Sequence, residues 1–108
     1  DDGNIIYKIA EKSNGPGTRK SGEMARKEII NIFEETKRQI VIDFKDISII
    51  SSSFADQFIA KTVHYFGFVN FNNIFKVVNT NSDISLIIHR AVSLRLDEEM
   101  KQSSNSEV

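Results

Sequence analysis

The chain has no cysteine, no tryptophan and a single proline. Without cysteine it has no disulfide staple, no thiol chemistry and no thiolate metal site. Its two histidines, His64 and His89, stand too far apart for the His-x-x-x-His pair of a helical zinc site. No Asn-x-Ser/Thr sequon occurs. No apolar run approaches the roughly 20 residues of a membrane-spanning helix, and no signal-like apolar segment lies near the start. Neither sign of charge dominates, since the formal net charge is −1, so no overall field favours nucleic acid or an anionic membrane. These absences lead us to expect a soluble, cytoplasmic domain that takes up no metal and no cofactor and binds neither nucleic acid nor membrane. The chain opens at Asp1 rather than methionine, as a piece of a longer protein would.

What is present suits one globular domain. A length of 108 residues with 40% hydrophobic and 27% charged content is enough to bury a core without staples. Residues 4–10 alternate Ile5, Tyr7 and Ile9 and predict a first strand. Residues 11–21 hold Gly15 and Gly17 around the proline and predict a loop. Ala25, Ile29, Ile32 and Phe33 recur at helical spacing, so 22–36 is expected to be a helix with Ser21 as N-cap. "QIVIDF", 39–44, is the clearest strand, apolar enough to be central and covered on both faces, Val41 included.

A second helix is expected over 54–66, opened by a Ser53–Asp56 capping box and closed by Gly67. "NFNN", 70–73, reads as a turn and "IFKVV", 74–78, as a third strand. A capping box at Thr80–Asp83 would open a third helix with a buried stripe of Ile84, Ile87, Ile88, Ala91, Val92 and Leu94. The domain is expected to span 4–96, with 97–108 a polar, disordered tail. The order β-α-β-α-β-α predicts an α/β fold with a mixed, mainly parallel sheet. Three strands are few, so a fourth short strand is expected near 47–50 or 67–71.

Candidate chemistry is sparse. "GPGTRKSG" follows a strand and precedes a helix, as a phosphate-binding P-loop does, but Arg19 and Asn14 stand where that motif needs glycine. A flexible basic loop is the preferred reading. Arg19, Lys20 and Arg26 concentrate positive charge there and are candidates for contact with phosphate or an acidic partner. Asp43, Asp46 and Asp56 fall near the carboxyl ends of the central strands, where open α/β sheets bind ligands. Asp46 also suits a turn and Asp56 a capping box.

The most informative stretch is "IISSSFADQF", 49–58. One serine suffices to cap a helix, and three exceed that need. They sit at a strand-to-helix turn, where backbone N–H groups and the helix dipole favour negative charge. A phosphoryl group would find that electrostatic setting there.

"QIVIDFKDISIISSSFADQFIAK" resembles the central signature of the STAS domain, shared by anti-sigma-factor antagonists and sulfate-transporter tails. In that pattern an apolar strand leads to Asp-Ser-Ser/Thr-Gly at a helix start. Ser51 then stands at the aspartate, Ser52 at the phosphorylated serine, Ser53 at the next Ser/Thr and Phe54 at the glycine. The chain is more similar still to a bacterial STAS-like family of unknown function, often found beside histidine-kinase-type ATPase domains. "RKSGEMARK", "SSSFADQF" and "VVNTNSDISLIIHRAV" carry that resemblance, which covers roughly 18–95.

The resemblance implies a non-enzymatic regulatory module. It would bind a histidine-kinase-type ATPase or an anti-sigma-factor-like protein, on another chain or in the same polypeptide. Contacts are expected from Phe54, Asp56 and Gln57, and a switch at Ser52, or failing it Ser51 or Ser53. The alternative is a small-molecule or nucleotide sensor built on the strand ends and the basic 15–27 loop. An enzyme at the acid cluster is the third reading.

Overall fold

The structure, a computed structural model, describes residues 4–12 and 15–106, with backbone only at 99 and 102–106. Residues 13–14 of the expected loop, Asn14 among them, and 107–108 of the expected tail lie outside the described residues. The described elements are β1 (Ile5–Lys8), a 3₁₀ turn (Ile9–Glu11), α1 (Arg19–Thr36), β2 (Ile40–Asp43), α2 (Ser52–Ala55), a π turn (Asp56–Ala60), α3 (Lys61–Phe66), α4 (Phe68–Ile74), β3 (Phe75–Val78) and α5 (Ser82–Ser106).

The sheet is three-stranded, in the order β1-β2-β3, and parallel throughout. Among the described residues there is no fourth strand and no antiparallel pairing. Residues 47–50 are irregular, and 68–74 form α4 instead of a turn or strand. The asparagines that suggested a turn act within the helix. Asn70 and Asn72 donate to the carbonyls of Phe66 and Phe68, four residues back, at 3.0 and 3.1 Å.

Period-two alternation sorts the sheet into two unlike faces. Ile5, Ile40 and Phe75 form one register row and Tyr7, Ile42 and Val77 another. Both rows face the helices, where Phe33, Phe66 and Phe71 surround Phe75 and Tyr7 meets Phe58. The rows between them carry exposed Ile6, Lys8 and Lys76, with Val41 only half-buried. The helices therefore cover one face of β2, not both. Ile29, Ile40, Ile42, Phe44, Phe58 and Ile84 centre the core.

Helix ends deviate from expectation by a few residues, each for a visible reason. Thr18, not Ser21, caps α1: its Oγ1 accepts from the Ser21 N–H at 3.0 Å. Ser21 lies inside the first turn, buried, and donates to the Thr18 carbonyl. Asn81, not Thr80, caps α5 by accepting from the Ile84 N–H at 2.8 Å. Gly67, at φ +88°, closes α3 as expected, its N–H donating to the Val63 carbonyl. Leu94 faces solvent instead of joining the buried stripe of α5, and residues 97–106, expected to be a disordered tail, continue that helix.

Gly22 sets the distance between α1 and α2. A Cβ there would lie 2.8 Å from the Phe54 carbonyl oxygen and 3.0 Å from the Gln57 Cβ. The first turn of α1 thus packs at backbone contact against the helix that begins at the serines.

Candidate functional site

The apolar run after β2 ends at buried Ile50, and Ser51 turns the chain into α2. Its Oγ accepts from the Phe54 N–H at 2.9 Å, and its own N–H donates to the Pro16 carbonyl at 3.1 Å. Ser51 is thus the cap and also holds the 15–18 loop against the serine turn. The expected Ser53–Asp56 capping box does not form, because the helix has already begun. Ser53 is half-buried, and its Oγ lies 3.5 Å from the Arg19 guanidinium. Ser52 is exposed and its hydroxyl has no partner among the described residues.

Asp56 turns toward α5. Arg95 grips it with two charge-assisted hydrogen bonds, Nε to Oδ1 at 2.7 Å and Nη2 to Oδ2 at 2.9 Å. Arg19 approaches the same carboxylate at 3.6 Å. The Arg95 hydrogen bonds, with the charges of Arg95, Arg19 and Lys61, hold the Asp56 carboxyl below its ordinary pKa against the opposing effect of burial.

These side chains line an open groove of about 300 Å³ formed by Arg19, Ser52, Ser53, Asp56, Arg90 and Leu94, with Ile87 and Ala91 behind. Arg90 is exposed there and forms no ion pair with any described residue. Facing the free Ser52 hydroxyl, the groove offers arginines and one carboxylate already held by Arg95. That balance suits an acidic or phosphorylated group better than a basic one.

The structure brings together Ser52, Ser53, Asp56 and Arg19 from the expected site. It removes others. Phe54 and Gln57, 1% and 7% exposed, are packed under α1 and offer no surface to a partner. Arg26 lies behind the groove, its Nη1 donating to both the backbone carbonyl and the side-chain oxygen of Gln57. Its Nη1 is thereby committed to the fold. Lys20 remains exposed.

The other aspartates lie elsewhere. Asp43 accepts from the Lys45 N–H and from Asn79, which keeps its pKa low and ties the ends of β2 and β3. Asp46 occupies a left-handed turn position at φ +68°. Among the described residues no acids and histidines gather into a group able to hold a metal ion.

Nothing in the sequence points to Arg90 and Arg95, and Leu94 reads there only as part of a buried stripe. They lie more than thirty residues beyond the serines, and no local spacing links them to that turn.

Near the strand ends and the basic loop is a cavity of only about 60 Å³, lined by Tyr7, Lys12, Ser21 and Glu28. Tyr7 donates to Glu28 there, and burial, reinforced by that carboxylate, pushes the phenol pKa up. Small-molecule sites usually enclose about 300–1,000 Å³, so this cavity has no room for a nucleotide.

A family model described as a STAS-like domain of unknown function matches residues 21–85. The match includes the serine turn, Asp56 and the whole of β2 and β3. Comparison with curated proteins and with solved structures returns no match. No helix among the described residues is long and apolar enough to cross a membrane.

Proposed function

The chain belongs to this STAS-like family, and from that premise we propose that it is a non-enzymatic regulatory module that binds a protein partner at the serine groove. The partner class is a histidine-kinase-type ATPase or an anti-sigma-factor-like protein. One observation carries the reading: of three adjacent serines, Ser52 alone is exposed, its hydroxyl unbonded among the described residues, at the mouth of a groove flanked by Arg19 and Arg90. Ser51 is occupied as a cap. Ser53 is half-buried beside Arg19. Ser52 is therefore the serine at which a charge can be added without dismantling the turn.

A phosphoryl group on Ser52 would bring nearly two negative charges to a surface that already presents arginines. The arginines would turn toward it, and the groove's face to a partner would change from basic to neutral or acidic. The partner contacts are Ser52, Asp56, Arg19 and Arg90. Phe54 and Gln57 support the turn from beneath.

The test compares wild type, Ser52→Ala and Ser52→Asp against a histidine-kinase-type ATPase domain from the same genome. Affinity and melting temperature are measured for each, with mass spectrometry after incubation with the ATPase and ATP. Weaker binding by Ser52→Asp at an unchanged melting temperature supports the reading. Equal binding by all three, with no phosphate gained at 51–53, removes the switch.

A further inference from the structure

Helix α5 carries an apolar stripe that the fold leaves bare. Leu86, Leu96 and Met100 are 47%, 36% and 69% exposed. With His89 and Ser93 between them, the positions 86, 89, 93, 96 and 100 alternate spacings of three and four, which keeps them on one side of a helix. Buried Ile84 and Ala91 hold the opposite side against the core. Alongside the stripe runs a groove of about 340 Å³, lined by Phe68, Phe71, Ile88, His89 and Val92. Phe68 and its neighbour Val69 are exposed at its rim.

Charge at the edge of the stripe indicates what covers it. Arg90 and Asp97 flank it on one side, and neither forms an ion pair with any described residue. Seven residues apart on one helix, they are separated by about 10 Å and cannot pair with each other. Two copies of α5 laid parallel about a two-fold axis would carry their Arg90–Asp97 flanks to opposite sides of the seam, where these charges do not meet. Laid antiparallel about Ser93, they bring opposite charges together. Arg90 precedes Ser93 by three residues and Asp97 follows it by four, so each Arg90 comes within one residue, about 1.5 Å of rise, of Asp97 of the other copy, twice by symmetry. Leu86 and Met100 are equidistant from Ser93 and also come level. Ser93 at the crossing is small enough for close approach.

We propose that a second copy of this chain docks antiparallel along Leu86–Met100, forming a two-fold dimer held by the apolar stripe and two Arg90–Asp97 pairs. Such an interface is isologous and closes on itself.

Sedimentation equilibrium of the full chain over a concentration series tests the dimer. The expected result is a reversible monomer–dimer equilibrium. Met100→Lys, on an exposed position, shifts it to monomer while the circular dichroism spectrum stays unchanged. Arg90→Asp weakens association by about tenfold, since each of two pairs becomes a repulsion. Adding Asp97→Arg to Arg90→Asp regenerates both pairs and restores the dimer. Wild type that sediments as a monomer at every concentration overturns the proposal. So does a dimer indifferent to Met100→Lys, or an Arg90→Asp defect that Asp97→Arg fails to repair.

Discussion

Arg26 reaches Gln57 twice, its Nη1 lying 2.7 Å from the backbone carbonyl oxygen and 2.9 Å from Oε1. The contact falls where the helix after the serines widens into a π turn over Asp56–Ala60. Such a turn interrupts the i→i−4 ladder and leaves carbonyls in need of other donors. Arg26 supplies one, and Thr62, donating to the Phe58 carbonyl, supplies another. The turn also sets the position of Asp56, so a side chain on α1 supports the geometry of the groove from behind.

Arg26→Met keeps the aliphatic stem and removes the donors. Buried oxygens left without a partner cost about 1–3 kcal/mol, and urea unfolding should show a loss of that size. Gln57→Leu should then cost less in the Arg26→Met background than in wild type, because one orphaned oxygen is removed. Equal costs in both backgrounds would mean that the two residues are not coupled.

Gly22→Ala places a Cβ against the Phe54 carbonyl, an atom of the backbone that cannot rotate away. Overpacking of this kind costs about 1–3 kcal/mol. Gly17→Ala meets nothing within 4 Å and should stay within about 0.5 kcal/mol of wild type. Melting temperatures of the two variants check the contrast. A Gly22→Ala protein as stable as Gly17→Ala would show that α1 and α2 do not touch as described.

At the serines, Ser51→Ala should cost about 1 kcal/mol, as a lost N-cap does. Ser52→Ala and Ser53→Ala should each cost less than about 0.5 kcal/mol. Chemical denaturation of the three variants orders them. A larger loss at Ser53 would move the helix start two residues on.

The same turn shows how far sequence reasoning carries. Local patterns located β2, α1 and α5, because Ile40 and Ile42, Ala25 and Ile29, and Ile84 and Ala91 repeat at the period of their element. The S-x-x-D spacing at Ser53 and Asp56 misled, since the acid serves Arg95, 39 residues away. A capping box is a local pattern and carries no information about a competing distant partner. The better signal was the end of the apolar run at Ile50, with Ser51 directly after it. Likewise "NFNN" held turn-forming residues whose amides instead bond back to helix carbonyls. The coverage of β2 was overread for a similar reason: Val41 is apolar, but nothing in 39–44 tells whether a second layer exists. Arg90 in the groove and Arg95 on Asp56 become visible only once α5 is folded against α2.

Asp56 makes stability depend on pH in a defined direction. Its carboxyl pKa is lowered in the folded state, first by hydrogen bonds from Arg95 and then by the charges of Arg95, Arg19 and Lys61. The folded protein therefore holds this carboxyl ionised at acidities where the unfolded chain has begun to protonate it. The unfolded value for aspartate is about 3.9. The stabilising contribution is thus complete above that value and is lost as pH falls through the lower, folded pKa. Asp56→Asn removes the titrating group and keeps its shape. Urea unfolding of both proteins at pH 7, 5, 4 and 3 should show wild type ahead by a constant margin at the two upper values. The margin should shrink at the two lower ones, because wild type loses its paired carboxylate while the variant has none to lose. A margin that stays flat down to pH 3, or widens, would mean that Arg95 does not hold Asp56 in solution.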